Sequence, residues 1–198
     1  MNSVDFYYEH QILQPNELLA WISQNIIFGW RDRVGFTHPN VNSPKDYALQ
    51  EPTELLASRI GICWDVVELM RDWFTKMTNF PIQTYYIFYD DGAGCPSHTV
   101  LTFEHNGRIC WIEPPYFGAA PLFDGIHSYE NETDFARAFQ EYIFKCFQEF
   151  HSLPGNYNMD NFRLYAYAKP PFHINGFEMR NHIENGRRVP LNFSQNHI

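Results

Sequence analysis

The sequence predicts an α+β fold with a mainly antiparallel sheet, and three observations carry that reading. Helix-period segments come first, at residues 16–28 and from Cys63 onward. A β-rich stretch follows, split by Asn106-Gly107, the strongest short signal for a two-residue hairpin. A long helix with an aromatic stripe and one more strand close the order. With 198 residues and 23.5 kDa the chain suits a single domain over 1–198.

The elements follow in order. Residues 16–28 place Leu18, Leu19, Ile22, Ile26 and Ile27 near helical period, with Pro15 at the start. Residues 30–46 hold glycines, prolines and charges and read as a loop. Residues 53–59 form a short helix capped by Thr53 and ending before Gly61. From Cys63, the positions Val66, Val67, Met70, Phe74 and Met77 are three or four apart, giving an amphipathic helix that Asn79 and Pro81 close. Residues 82–89 are a buried strand, 90–96 a loop bordering any site nearby, and 97–113 the hairpin. Between 134 and 150, Phe135, Ala138, Phe139, Tyr142, Ile143, Cys146, Phe147 and Phe150 make a helical stripe, with Thr133 or Asn131 as cap. Residues 162–169 are a strand, and the polar tail from about 176 to 198 is expected to be loosely held.

Composition narrows the function. Fourteen Lys+Arg against 23 Asp+Glu give a net charge of −9, which repels phosphate backbones, so nucleic acid is not an expected partner. No apolar run approaches the ~20 residues a bilayer requires, and residues 1–30 lack a secretory pattern, so a cytoplasmic location is expected. Four cysteines, Cys63, Cys95, Cys110 and Cys146, are too few and too spread for a disulfide framework. Each then fills a core, binds a metal or acts as a nucleophile. Cys146, inside the aromatic stripe, is a core residue.

Cys63 opens a helix, where free N–H groups favour the thiolate that nucleophilic chemistry needs. The plain alternative is a buried core cysteine. The hairpin decides between them. If Asn106-Gly107 is a two-residue turn, opposed residues sum to 213, so Glu104 faces Ile109, Thr102 faces Trp111 and Val100 faces Glu113. His98 and Glu113 then share a face as diagonal neighbours, about 7–8 Å apart at Cα. A carboxylate on one imidazole nitrogen fixes the tautomer and leaves the other for a thiol proton. Docking the Cys63 helix on that face completes Cys63-His98-Glu113. Alone, either hairpin residue is an ordinary exposed strand residue. The rival is zinc on Cys95 and His98 with Cys63 and Cys110, but Cys63 and Cys110 are isolated and the register turns Cys110 to the other face.

These residues resemble a known family. Gly61-Ile62-Cys63-Trp64-Asp65 opening a helix is similar to the nucleophile motif of the transglutaminase-like superfamily, which shares the papain-like fold. Ser97-His98-Thr99-Val100 resembles its histidine motif, and Trp111-Ile112-Glu113-Pro114 the hairpin end with its third catalytic residue. The likeness covers about 52–116, with 35 and then 15 residues between the three positions. Glu113 stands where the family usually has Asp, and Thr99-Val100-Leu101 where an aromatic often follows the histidine. The resemblance implies a papain-like core with the cysteine helix packed on the sheet. It implies Cys63 as nucleophile, His98 as general base and then acid, and Glu113 as orienting carboxylate. One oxyanion donor is the Cys63 backbone N–H and a second is placed at Gln50, with Trp30 or Tyr47 as alternatives; Trp64 and Trp111 line the cleft. It implies acyl chemistry at an amide of a peptide, a protein or a small molecule, with no cofactor and no metal. Hydrolysis is preferred over transamidation because no extra cross-linking domain is seen. A catalytically idle peptide-binding module of the same fold is the main alternative, ahead of a zinc protein.

Overall fold

The structure is a computed structural model that describes residues 2–38, 44–90, 97–115, 123–150 and 159–191, with only the backbone of 147–150 and 159. It is a mixed α+β arrangement. Two helices, α1 (Ser3–Glu9) and α2 (Pro15–Asn25), lead into the two-residue strands β1 (Ile27–Phe28), β2 (Trp30–Arg31) and β3 (Thr37–His38). Then come α3 (Pro52–Ser58), β4 (Ile60–Gly61), α4 (Cys63–Met77), β5 (Ile82–Tyr89), β6 (Ser97–His105), β7 (Arg108–Glu113), β8 (Gly125–Tyr129), α5 (Glu132–Phe150), β9 (Phe162–Tyr167), α6 (Gly176–Glu184) and β10 (Arg187–Val189). Six strands form one sheet in the order β10-β9-β5-β6-β7-β8, every pair antiparallel. Among the described residues no helix is long and apolar enough to cross a membrane.

The hairpin is set by its turn. Asn106 and Gly107 have φ of 52° and 73°, both positive, as a type I′ turn requires. The ladder then runs from His105↔Arg108 through Glu104↔Ile109, Thr102↔Trp111 and Phe103↔Cys110 to Leu101↔Ile112. It stops one pair short of Val100 and Glu113. Beyond that point β6 stays with β5, and Glu113 pairs with Gly125 of β8. The strands therefore part near His98, the second residue of β6, and Glu113, the last of β7.

The sheet is covered on both faces. On one, Val66, Leu69, Met70, Trp73 and Phe74 of α4 join Leu101, Phe103, Cys110 and Ile112. On the other, Phe135, Phe139, Tyr142 and Ile143 of α5 join Val100 and Trp111. The cysteine helix thus docks on the face opposite the one expected. The odd-numbered positions of β6 offer α4 its apolar surface, while the aromatic stripe of α5 takes the His98 face. Contact between Cys63 and His98 is made at the end of the sheet, where β6 and β7 separate, rather than across its face.

Other differences have local causes. The second helix ends at Asn25 rather than 28, because Ile27 and Phe28 pair in parallel with Ile60 and Gly61. The expected loop at 30–46 holds the small β2–β3 hairpin. Helix α3 starts at Pro52 after Glu51, so Thr53 is not its cap, and Arg59 ends it in the left-handed region. Asn131 Oδ1 accepts from the Asp134 N–H, which makes Asn131 a capping side chain of α5. The tail is not loose over 176–191: Asn175 caps α6, which buries Met179 and Ile183, and β10 adds Val189 to the sheet. Arg187, within that tail, donates to Glu132.

Candidate functional site

Cys63 is the first residue of α4 and is half-buried. Two short elements aim it. The parallel pairing of β1 with β4 holds Gly61, and the Gly29 N–H adds a bond to the Gly61 carbonyl. Gly61 has no room for a side chain: a Cβ there would lie 2.7 Å from Leu55 Cδ1 and 3.0 Å from Asp65 Cβ. Glycine lets the chain enter the helix here without displacing Leu55 or Asp65.

His98 meets Cys63 there. Its Nε2 lies 2.9 Å from Glu113 Oε1, and the Cys63 sulfur is close enough to the ring to act on it. With Nε2 taken, Nδ1 is the nitrogen available to sulfur. The Glu113 side chain is only 1% exposed and its charge is well partnered. Trp111 Nε1–H donates to Oε2 at 3.0 Å and the Tyr142 hydroxyl to Oε1 at 3.1 Å. Phe139 and Tyr142 flank the imidazole, at 6.1 and 5.6 Å between ring centroids.

Burial works against a charge on His98, but the Glu113 carboxylate and the Cys63 sulfur outweigh it and raise the ring to about 10. The imidazole is thus protonated at neutral pH. The Cys63 sulfur sits between a cationic ring on one side and the free N–H groups of the α4 first turn on the other. Burial, then Glu113 and Cys146, hold the Tyr142 hydroxyl protonated far above its ordinary range, so it remains a donor.

Three further expected residues are placed differently. Trp111 is wholly buried and does not line a cleft; its indole N–H fixes Glu113 instead. Trp64 is 8% exposed and packs between Tyr47 and Tyr86, again away from any cleft wall. Gln50 sits below the start of α4, its Nε2 donating to the Ile60 carbonyl and its Oε1 accepting from Ser58, which commits the carboxamide to the α3–β4 turn rather than to an oxyanion. Of the alternatives, the Tyr47 hydroxyl is spent on Asp65, and Trp30 is buried with His38 stacked on it at 4.3 Å.

Sequence reasoning missed Tyr142 and Asp65. Tyr142 was legible as a hydroxyl in a stripe of Phe, which must find a buried partner. Asp65 carried a signal too, being an acid at the third position of a helix that has no polar capping residue. As for zinc, Cys95 lies outside the described residues, as do 91–96 of the expected bordering loop, and Cys110 packs with α4 on the face away from the His98 ring. Among the described residues no group of three or more His, Cys, Asp or Glu could hold a metal ion.

No family model matches the chain, and no curated protein matches it significantly in sequence.

Proposed function

We propose that the chain is a cysteine-dependent enzyme acting at amide carbonyls, with a transglutaminase-like core of the papain-like fold. The single observation that carries this reading is one imidazole placed between a thiol at a helix N-terminus and a buried, triply bonded carboxylate. A structural histidine gains nothing from a half-buried thiol partner. A nucleophile gains both its charge and its proton donor.

The reaction follows from the atoms present. The Cys63 sulfur attacks the amide carbon, forming a C–S bond while the carbonyl π pair moves to oxygen. The backbone N–H of Cys63 faces that oxygen charge at the helix start. As the oxyanion collapses, the C–N bond breaks and His98 gives its proton to the leaving nitrogen, so ammonia or an amine departs and a thioester remains. His98, now neutral, takes a proton from water as the water oxygen attacks the thioester. The C–S bond breaks, an acid is released and the thiolate–imidazolium pair is restored. An amine in place of water gives a new amide. Glu113 keeps the ring in one orientation and offsets its charge throughout, without taking the proton.

Mass spectrometry of Cys63 after incubation with a library of peptides and small amides tests this reading. A mass increase on the Cys63 peptide equal to an acyl group, absent in His98→Ala, is expected. No adduct with any amide, together with release of no amine, would count against it and favour an idle binding module.

A further inference from the structure

We infer that Asp65 is a positioning residue for Cys63, clamping the residue before the nucleophile to the 47–50 segment, and that proton uptake at Asp65 releases the clamp; this rests on the reading of Cys63 as a nucleophile. Asp65 is 1% exposed. Its Oδ1 accepts from the Tyr47 hydroxyl at 2.9 Å and the Gln50 N–H at 3.0 Å, and its Oδ2 from the Ile62 N–H at 2.9 Å. Ile62 immediately precedes Cys63, so one of these bonds fixes the peptide that leads into the nucleophile. The other two tie in a segment distant in sequence, and Gln50 extends the web to Ile60 and Ser58.

All three partners are donors. A carboxylate accepts from every one of them, whereas a carboxylic acid carries a hydrogen of its own, so at least one of the three bonds must be lost or, at Tyr47, reversed. Burial raises Asp65 to about 6 from an ordinary 3.8, against the lowering pull of the Gln50 and Ile62 N–H groups, the Tyr47 hydroxyl and the Gln50 carboxamide. None of those contributors is a cation. The titratable groups facing this web are the Tyr47 hydroxyl from the 47–50 segment, the Cys63 thiol on α4 itself and the Tyr167 hydroxyl from β9, and Tyr47 feels Asp65, Cys63 and Tyr167 together. From α3 and β4, Leu55 and Gly61 close the space. Because the folded value lies above the ordinary one, the folded chain takes this proton more readily than the unfolded chain. The group's contribution to stability therefore grows as pH falls through about 6 toward 3.8. Proton uptake leaves the fold intact, and its effect is local to Cys63.

The test is the alkylation rate of Cys63 by iodoacetamide in the full chain, followed by peptide mass mapping from about pH 4.5 to about pH 8. Circular dichroism and melting are recorded in parallel on wild type, Asp65→Asn and Tyr47→Phe. We expect Asp65→Asn to slow Cys63 about tenfold near pH 7.5 while Cys110 and Cys146 are unchanged, and to lose one proton's steepness from the acid limb. Tyr47→Phe removes one donor, keeps the aromatic packing and moves the acid limb up by about one pH unit; it carries the test alone if Asp65→Asn does not fold. Wild-type rates and profiles in both variants would overturn the inference. So would a faster Asp65→Asn, since loss of a neighbouring negative charge would then be the whole effect. A wild-type Cys63 no faster than Cys110 and Cys146 fails the nucleophile reading and this inference together; a fast Cys63 indifferent to both variants fails this inference alone.

Discussion

At the scale of single residues, Glu113 is the member of the proposed triad that the surrounding chain specifies most fully. Glu113 accepts from His98, Trp111 and Tyr142, each from a different position along the fold. Its long side chain lets the last residue of β7 span the diagonal to His98 where the ladder has already opened. Glu113→Gln keeps the shape and removes the charge that raises His98, so the alkaline limb of kcat/KM moves down from about 10 toward the ordinary imidazole value and the rate falls about 10²-fold. A pH–rate profile of the two proteins checks this. Tyr142→Phe leaves the charge in place and removes one donor to it. We expect a loss of about 1–2 kcal/mol in denaturant stability and a severalfold lower rate.

At the scale of elements, the start of α4 depends on space as much as on bonds. Gly61→Ala pushes a methyl group into Leu55 and Asp65, costing about 1–3 kcal/mol in chemical denaturation. Because the same methyl disturbs Asp65, Cys63 alkylation slows beyond what the stability loss alone explains. The hairpin was readable from its turn as far as Leu101↔Ile112, since Asn106-Gly107 dictates one turn and the turn dictates one register; the expected pairing of Val100 with Glu113 does not form. That register alone brought His98 to Glu113. Which sheet face α4 covers was not readable, because both faces of β6 carry apolar residues and only the competing stripe of α5 assigns them. Helix α1 and strand β8 were missed for a related reason: short elements draw their stability from tertiary contacts rather than from their own pattern. The polar composition of α6 likewise hid its two core anchors, Met179 and Ile183.

At the scale of the molecule, the sheet between two helical faces gives His98 a half-buried, aromatic surround at a point that Cys63 can still reach. That placement links charge to stability. The folded value of His98, about 10, lies above the ordinary 6.5, so its contribution is fully present below pH 6.5 and is lost as pH rises through about 10. Wild type should therefore lose stability between neutral pH and about 10 by more than His98→Gln does, read from denaturant midpoints at each pH. The central claim is that sulfur, imidazole and carboxylate act as one unit, and the comparative alkylation rates of Cys63, Cys110 and Cys146 at neutral pH test it most directly. The account predicts that Cys63 reacts at least about tenfold faster than either buried thiol and loses that advantage in His98→Ala. Equal rates for all three, or a Cys63 rate untouched by His98→Ala, would contradict it.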